Sequence, residues 1–163
     1  MAVSAYEVIS TQTISGTSTS TVTFSSIPQT YTDLILITSL TQSADVSTVM
    51  RFNSDTATNY SSTRIRGTGA AASSERSSNV TGIEYWFGTL SGFGNVIWQI
   101  QNYSNATTYK SCLSRSNNTV DWMGASVGLW RSTSAISTIT YTTSSGYVIA
   151  GSTFTLYGIK AAA

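Results

Sequence analysis

One residue in three of this chain carries a side-chain hydroxyl, and these hydroxyls alternate with Val, Ile, Leu and aromatic side chains over most of its length. Ser and Thr fill 56 of the 163 positions, while Asp, Glu, Lys and Arg fill 15. Alternation with period two is the pattern of a strand with one face buried and one wetted. Thr, Val, Ile and Tyr also suit a pleated surface, so an all-β fold is expected. A disordered chain would be poor in aromatics and β-branched residues. Here there are 18 aromatics and a single Pro.

Strand patterns run over Tyr6 to Thr13 and Thr19 to Phe24, with a hairpin loop expected between them. Asp33 to Leu40 is the most continuously apolar stretch and reads as a strand buried on both faces, with Ser47 to Phe52 as its antiparallel neighbour. Further strands are expected at Ile83 to Phe87, Asn95 to Tyr103, Tyr109 to Arg115, Met123 to Arg131, Ile136 to Tyr141 and Thr153 to Lys160. From Asn53 to Ser78 the pattern dissolves, and a long irregular connection is expected there, broken only by Ser62 to Arg66. No segment carries a helical apolar period over a dozen residues. The expected fold is an antiparallel two-sheet β-sandwich, jelly-roll-like and almost free of helix, as one domain over residues 1–163.

The charge pattern narrows the function classes. A net charge of +1 with scattered Lys and Arg gives no footprint for a phosphate backbone, so nucleic acid is not an expected partner. The absence of His removes the usual triads and the commonest zinc ligand. Cys112 is the only cysteine, and no run of 18 apolar residues or charged-then-apolar leader appears. The expectation is a soluble chain made in the cytoplasm, with no membrane partner, no cofactor and no enzymatic activity. The remaining catalytic option, a carboxylate pair such as Glu84 with Asp121, lies in no recognisable motif. Asn53-Ser54-Asp55 weakly resembles a calcium loop but lacks the later Glu, so no metal is expected. Five Asn-x-Ser/Thr sequences, at Asn59, Asn79, Asn102, Asn105 and Asn117, read as turns.

Five segments carry a family resemblance: Ser26 to Leu34, Arg51 to Ser61, Ile100 to Ser104 followed by Thr108 to Ser111, Gly128 to Ile136 and Ala150 to Ile159. Together they resemble small β-rich virion structural proteins of tailed bacteriophages, cyanophages in particular. The resemblance implies a capsid decoration or cement protein, or a fibre module. It also implies a homo-oligomer, a trimer in most such proteins, bound to the major capsid protein in the virion. The alternative it leaves open is a tail-fibre or host-recognition module that binds surface polysaccharide.

Candidate interface residues follow from the residues themselves. Tyr85-Trp86-Phe87 places three consecutive rings on one strand, so both faces carry an aromatic, and one ring is expected to meet a partner protein or a glycan. Arg64, Arg66 and Arg76 stand in the expected long connection, where a planar guanidinium suits a partner's carboxylate. Trp98, Trp130 and Tyr157 are assigned to core or subunit interface, and Trp86 and Trp122 are the rings offered to a glycan.

Overall fold

The computed structural model describes residues 5–43, 47–86, 93–119 and 122–160. Twelve strands and no helix occur among them. They are β1 (Tyr6–Thr13), β2 (Thr21–Phe24), β3 (Asp33–Thr41), β4 (Ser47–Phe52), β5 (Tyr60–Gly67) and β6 (Ala72–Val80), then β7 (Ile83–Trp86), β8 (Phe93–Ile100), β9 (Lys110–Asn118), β10 (Met123–Trp130), β11 (Ile139–Thr143) and β12 (Thr153–Ile159). Eight form one antiparallel sheet in the order β1-β12-β3-β8-β9-β10-β5-β6, and four form a second in the order β2-β11-β4-β7.

The two sheets pack face to face as an antiparallel β-sandwich. Leu34, Leu36 and Leu40 on β3, Val96, Trp98 and Ile100 on β8, and Phe154 and Leu156 on β12 form one wall of the core. Val22 and Phe24, Met50 and Phe52, Ile83, and Ile139 and Tyr141 form the other. Rings cross the gap: Tyr141 meets Phe154 edge-on at 5.1 Å and Phe52 meets Trp130 at 5.6 Å. Each such side chain, fully buried, contributes roughly 1.5–3 kcal/mol of transfer free energy. Glycine sets the closest approach at two points. A Cβ on Gly158 would lie 2.3 Å from the Tyr31 ring, and one on Gly128 would lie 2.6 Å from Ile83 of β7.

The antiparallel sandwich matches the expected class, and five finer expectations need correction. Twelve strands divided eight and four depart from the eight-stranded jelly roll, so the plainer description stands. The connection expected around 53–78 is largely a hairpin, because β5 and β6 pair from Gly67 opposite Ala72 to Tyr60 opposite Val80. β6 has no apolar alternation to betray it; its backbone is held by β5, and most of its side chains are exposed. β1 and β2 form no hairpin: β1 pairs with β12 and β2 with β11, in different sheets. β4 is no neighbour of β3, since it joins β11 and β7. Lastly, β3 is apolar on both sides but covered by the second sheet on only one, and Ile37 on the other side is 38% exposed.

Loops are tied down by side chains. Asn53, at φ 51°, accepts from the Ser137 and Thr138 amides at 2.8 and 3.1 Å and donates to the Ala135 carbonyl at 2.8 Å. Asn102 takes the positive φ of a turn residue and Asn105 accepts from the Thr107 and Thr108 amides, as read from the sequence, whereas Asn79, at φ 55°, is the extra residue of a bulge inside β6. Asn117 does not follow that reading, because it lies within β9.

Candidate functional site

Pairing registers across the eight-stranded sheet define the side that the second sheet leaves open. One row crosses all eight strands as Thr11, Thr155, Ile37, Ile97, Arg115, Ala125, Ile65 and Ser74. The adjacent row runs Val8, Tyr157, Ile35, Gln99, Leu113, Val127, Thr63 and Arg76. Because side chains alternate along a strand, every member of these rows projects away from the core. Aliphatic and aromatic side chains hold four of the eight positions in the first row and five of the eight in the second. Ile65 is 60%, Val127 49% and Leu113 41% exposed, and Leu113, Val127, Ala125 and Ile65 line a shallow groove rimmed by Gln99 and Arg115.

The outer side of the four-stranded sheet has the opposite chemistry. Thr140 stands between Thr23 and Arg51, and Thr142 between Thr21 and Val49. Hydroxyls bond across strands there, as from Thr23 Oγ1 to Thr140 Oγ1 at 3.4 Å. One outer surface of the sandwich is thus suited to water, and the other exposes aliphatic side chains interrupted by Gln99 and Arg115, a patch of the kind that marks an interaction site on a folded protein.

The strands under the groove carry polar and small residues toward the interior. Ser114 and Ser126 share a buried hydroxyl contact at 2.6 Å, Ser116 donates to the Gly124 carbonyl, and Trp122 lies over Gly124. Ser62 Oγ and Arg64 Nε are buried there with no hydrogen-bond partner among the described residues. Lys110 is fully buried, its Nζ donating to the Thr108 and Thr133 carbonyls at 2.7 and 3.1 Å, and burial pulls its pKa below the ordinary lysine value. Burial pushes the neighbouring Cys112 thiol up to about 12, so it stays a protonated, inert filler.

The candidate residues from the sequence are spread over several places. Arg64 is turned inward, pairing with Glu75 at 3.1 Å and Glu84 at 3.6 Å, and Ser77 donates to Glu84 at 2.7 Å. Arg66 lies on the same side and donates to Ser73 Oγ at 2.8 Å. Arg76 projects to the opposite side, onto the open face, and donates to Thr63 Oγ1 at 3.1 Å. The three guanidiniums therefore form no single patch. Tyr85 and Trp86 stand opposite Thr48 and Ser47 on β7, an edge of the four-stranded sheet, while Phe87 lies outside the described residues.

Trp122, offered as an exposed ring, is 8% exposed, so its assignment to glycan stacking is corrected. Trp98 and Trp130 are core, and Tyr157 belongs to the open face. Of the two acids named for hydrolysis, Glu84 is engaged by Arg64 and Asp121 lies outside the described residues. The Asn53-Ser54-Asp55 segment is structural. Asp55 accepts from Asn59, from Trp130 Nε1 at 2.7 Å and from the Ala57 amide, and the Asn59 bond leads these in holding its carboxyl below its ordinary range despite some burial. Among the described residues, no group of three or more potential ligands could hold a metal ion.

The sequence reading missed the open face itself. Its signal was present in β10, where Met123, Ala125, Val127 and Leu129 alternate with Gly124, Ser126 and Gly128. Period two identifies the two sets, and taken alone it would send the apolar set inward; the fold sends it outward. No protein-family model matches this chain, and a search of curated proteins returned no match.

Proposed function

We propose that this chain is a structural protein of a tailed-phage particle, a capsid decoration or cement protein that self-associates and binds the lattice of the major capsid protein. The observation that carries the reading is the open apolar face of the eight-stranded sheet. It spans a full sheet and holds only two charged residues in its middle rows, so a partner covering it desolvates few ions. The resemblance in the five segments supplies the particle. Arg115 and Arg76, the two charged members of the middle rows, carry the planar fork that protein interfaces favour.

The alternative, a host-recognition module stacking a glycan on exposed rings, has lost Trp122 to the interior. Mass spectrometry of purified particles tests the proposal. The 17.3 kDa chain is expected in fixed stoichiometry to the major capsid protein, and to rebind after being stripped. Its absence from particles, together with a saturable change in Trp fluorescence on titration with host polysaccharide, would reverse the two readings.

A further inference from the structure

We infer that the open face of the eight-stranded sheet seats the same face of a second copy, related by a two-fold axis that crosses the strands between the Ile97 row and the Leu113 row. The inference deepens the self-association in the proposal above, from which it takes only that the chain assembles with protein, and it gives the open face to a second copy, leaving contact with the capsid lattice to the pair's other surfaces.

Area is the first argument. Seven inter-strand spacings of about 4.8 Å and about seven residues of about 3.3 Å rise give a face of about 780 Å². A specific interface of standard size needs about 800 Å² from each partner. A smaller partner would leave part of this face wet, whereas a second copy matches its outline by symmetry.

Pattern is the second. The axis lays the Ile97 row of one copy over the Leu113 row of the other, strand over strand. Ala125 then faces the second copy's Val127 and Thr155 its Tyr157, small against large, while Ile37 faces Ile35, Ile97 faces Gln99 and Ile65 faces Thr63. This alternation lets two sheet faces interdigitate at the usual spacing of about 10 Å.

Charge is the third. Arg115 is the only ionised group among the six central strands of the two rows, and no ion pair engages it among the described residues. The axis also brings the two copies' Arg115 side chains to either side of itself with no acid in these rows between them, so each stem must lie over the second copy's Leu113 and each head beside a Gln99 amide, whose carbonyl accepts from a guanidinium.

Light scattering and sedimentation on the full chain test the pairing. The wild type is expected at twice 17.3 kDa. Val127→Lys, at a half-exposed position that leaves the core intact, is expected to weaken the pair by about tenfold or more while keeping its circular dichroism. Thr142→Lys, on the hydroxyl face, is expected to change nothing. A monomeric wild type, a three-copy assembly, or a Val127→Lys protein with undiminished pairing overturns the inference. A monomer that still copurifies with particles would remove the pairing and the self-association, and leave the capsid binding of the proposed function standing. A dimer absent from particles would do the reverse.

Discussion

The two halves of the eight-stranded sheet are built to opposite plans. In β12, β3 and β8, the side toward the second sheet carries Leu, Phe, Val, Ile and Trp98. In β9, β10 and β5, the row of Lys110, Trp130 and Tyr60 joins the core at one end of the strands, but beyond it the same side carries Ser62, Arg64, Cys112, Ser114, Gly124 and Gly128, and the aliphatic residues stand on the outside. One half is a core wall. The other keeps its interior thin, so that β7 can settle onto Gly128 and Cys112, and invests its apolar surface outward. The amphipathic direction of a sheet can therefore reverse across its width without any change in strand periodicity. On these three strands the exposed aliphatic residues stand where the inner packing is thinnest, which is the physical reason to look for a partner there.

Four substitutions probe this contrast, in falling order of effect. Trp98→Ala, in the core wall, is expected to cost about 3–5 kcal/mol in urea unfolding, through lost transfer energy and the cavity left behind. Gly128→Val should cost about 1–3 kcal/mol by overpacking, since its Cβ would collide with Ile83 and Cys112. Tolerance of that change would mean that β7 does not sit close over this half. Ser114→Ala should cost about 1 kcal/mol, the worth of its hydroxyl contact with Ser126. Losses as large as that of Trp98→Ala would abolish the distinction between the halves.

The smallest effect is a slope in pH. Burial lowers the Lys110 pKa, so the unfolded chain holds this proton more tightly than the fold does. Unfolding then takes up a proton between the lowered value and the ordinary 10.5, and stability from this group rises with pH across that window. Lys110→Met removes the rise. The stability difference between the two proteins, measured at successive pH values, should shift toward the wild type as 10.5 is approached, while the opposite contributions of Cys112 and Tyr60 are common to both and cancel. A difference flat in pH would mean that Lys110 is hydrated.

Much of this architecture was legible before folding. β3, β8 and β12 announce themselves because burial by the second sheet enforces alternation on apolar side chains. β6 does not, because an edge strand with both faces wet needs only its neighbour's backbone, and Ser, Glu, Arg and Asn serve as well as Val. Strand partners were equally hidden. The pairing of β2 and β4 with β11 is decided by contacts across the sandwich, not by the Ile14 to Ser18 or Gln42 to Asp45 connections that suggested hairpins. Of the candidate interface, Arg76 reaches the open face, whereas Arg64 and Arg66 turn inward because they pair with Glu75, Glu84 and Ser73. Charge scarcity had marked these arginines as notable, but it carries no information about the side of a strand on which a residue falls.

The pairing of β1 with β12 has a kinetic consequence. Tyr6 meets Ile159, and the Lys160 amide donates to the Ala5 carbonyl, so that strand pair requires closure of a loop nearly as long as the chain. Such a contact returns nothing until the entropy of that closure has been met, which places this edge among the last parts of the sheet to form and slows the approach to the native state. Joining residue 160 to residue 5 through a short linker, and opening the chain at the exposed turn between β8 and β9, would convert the most distant strand pair into the most local one. The same sandwich would then be reached by a quite different route.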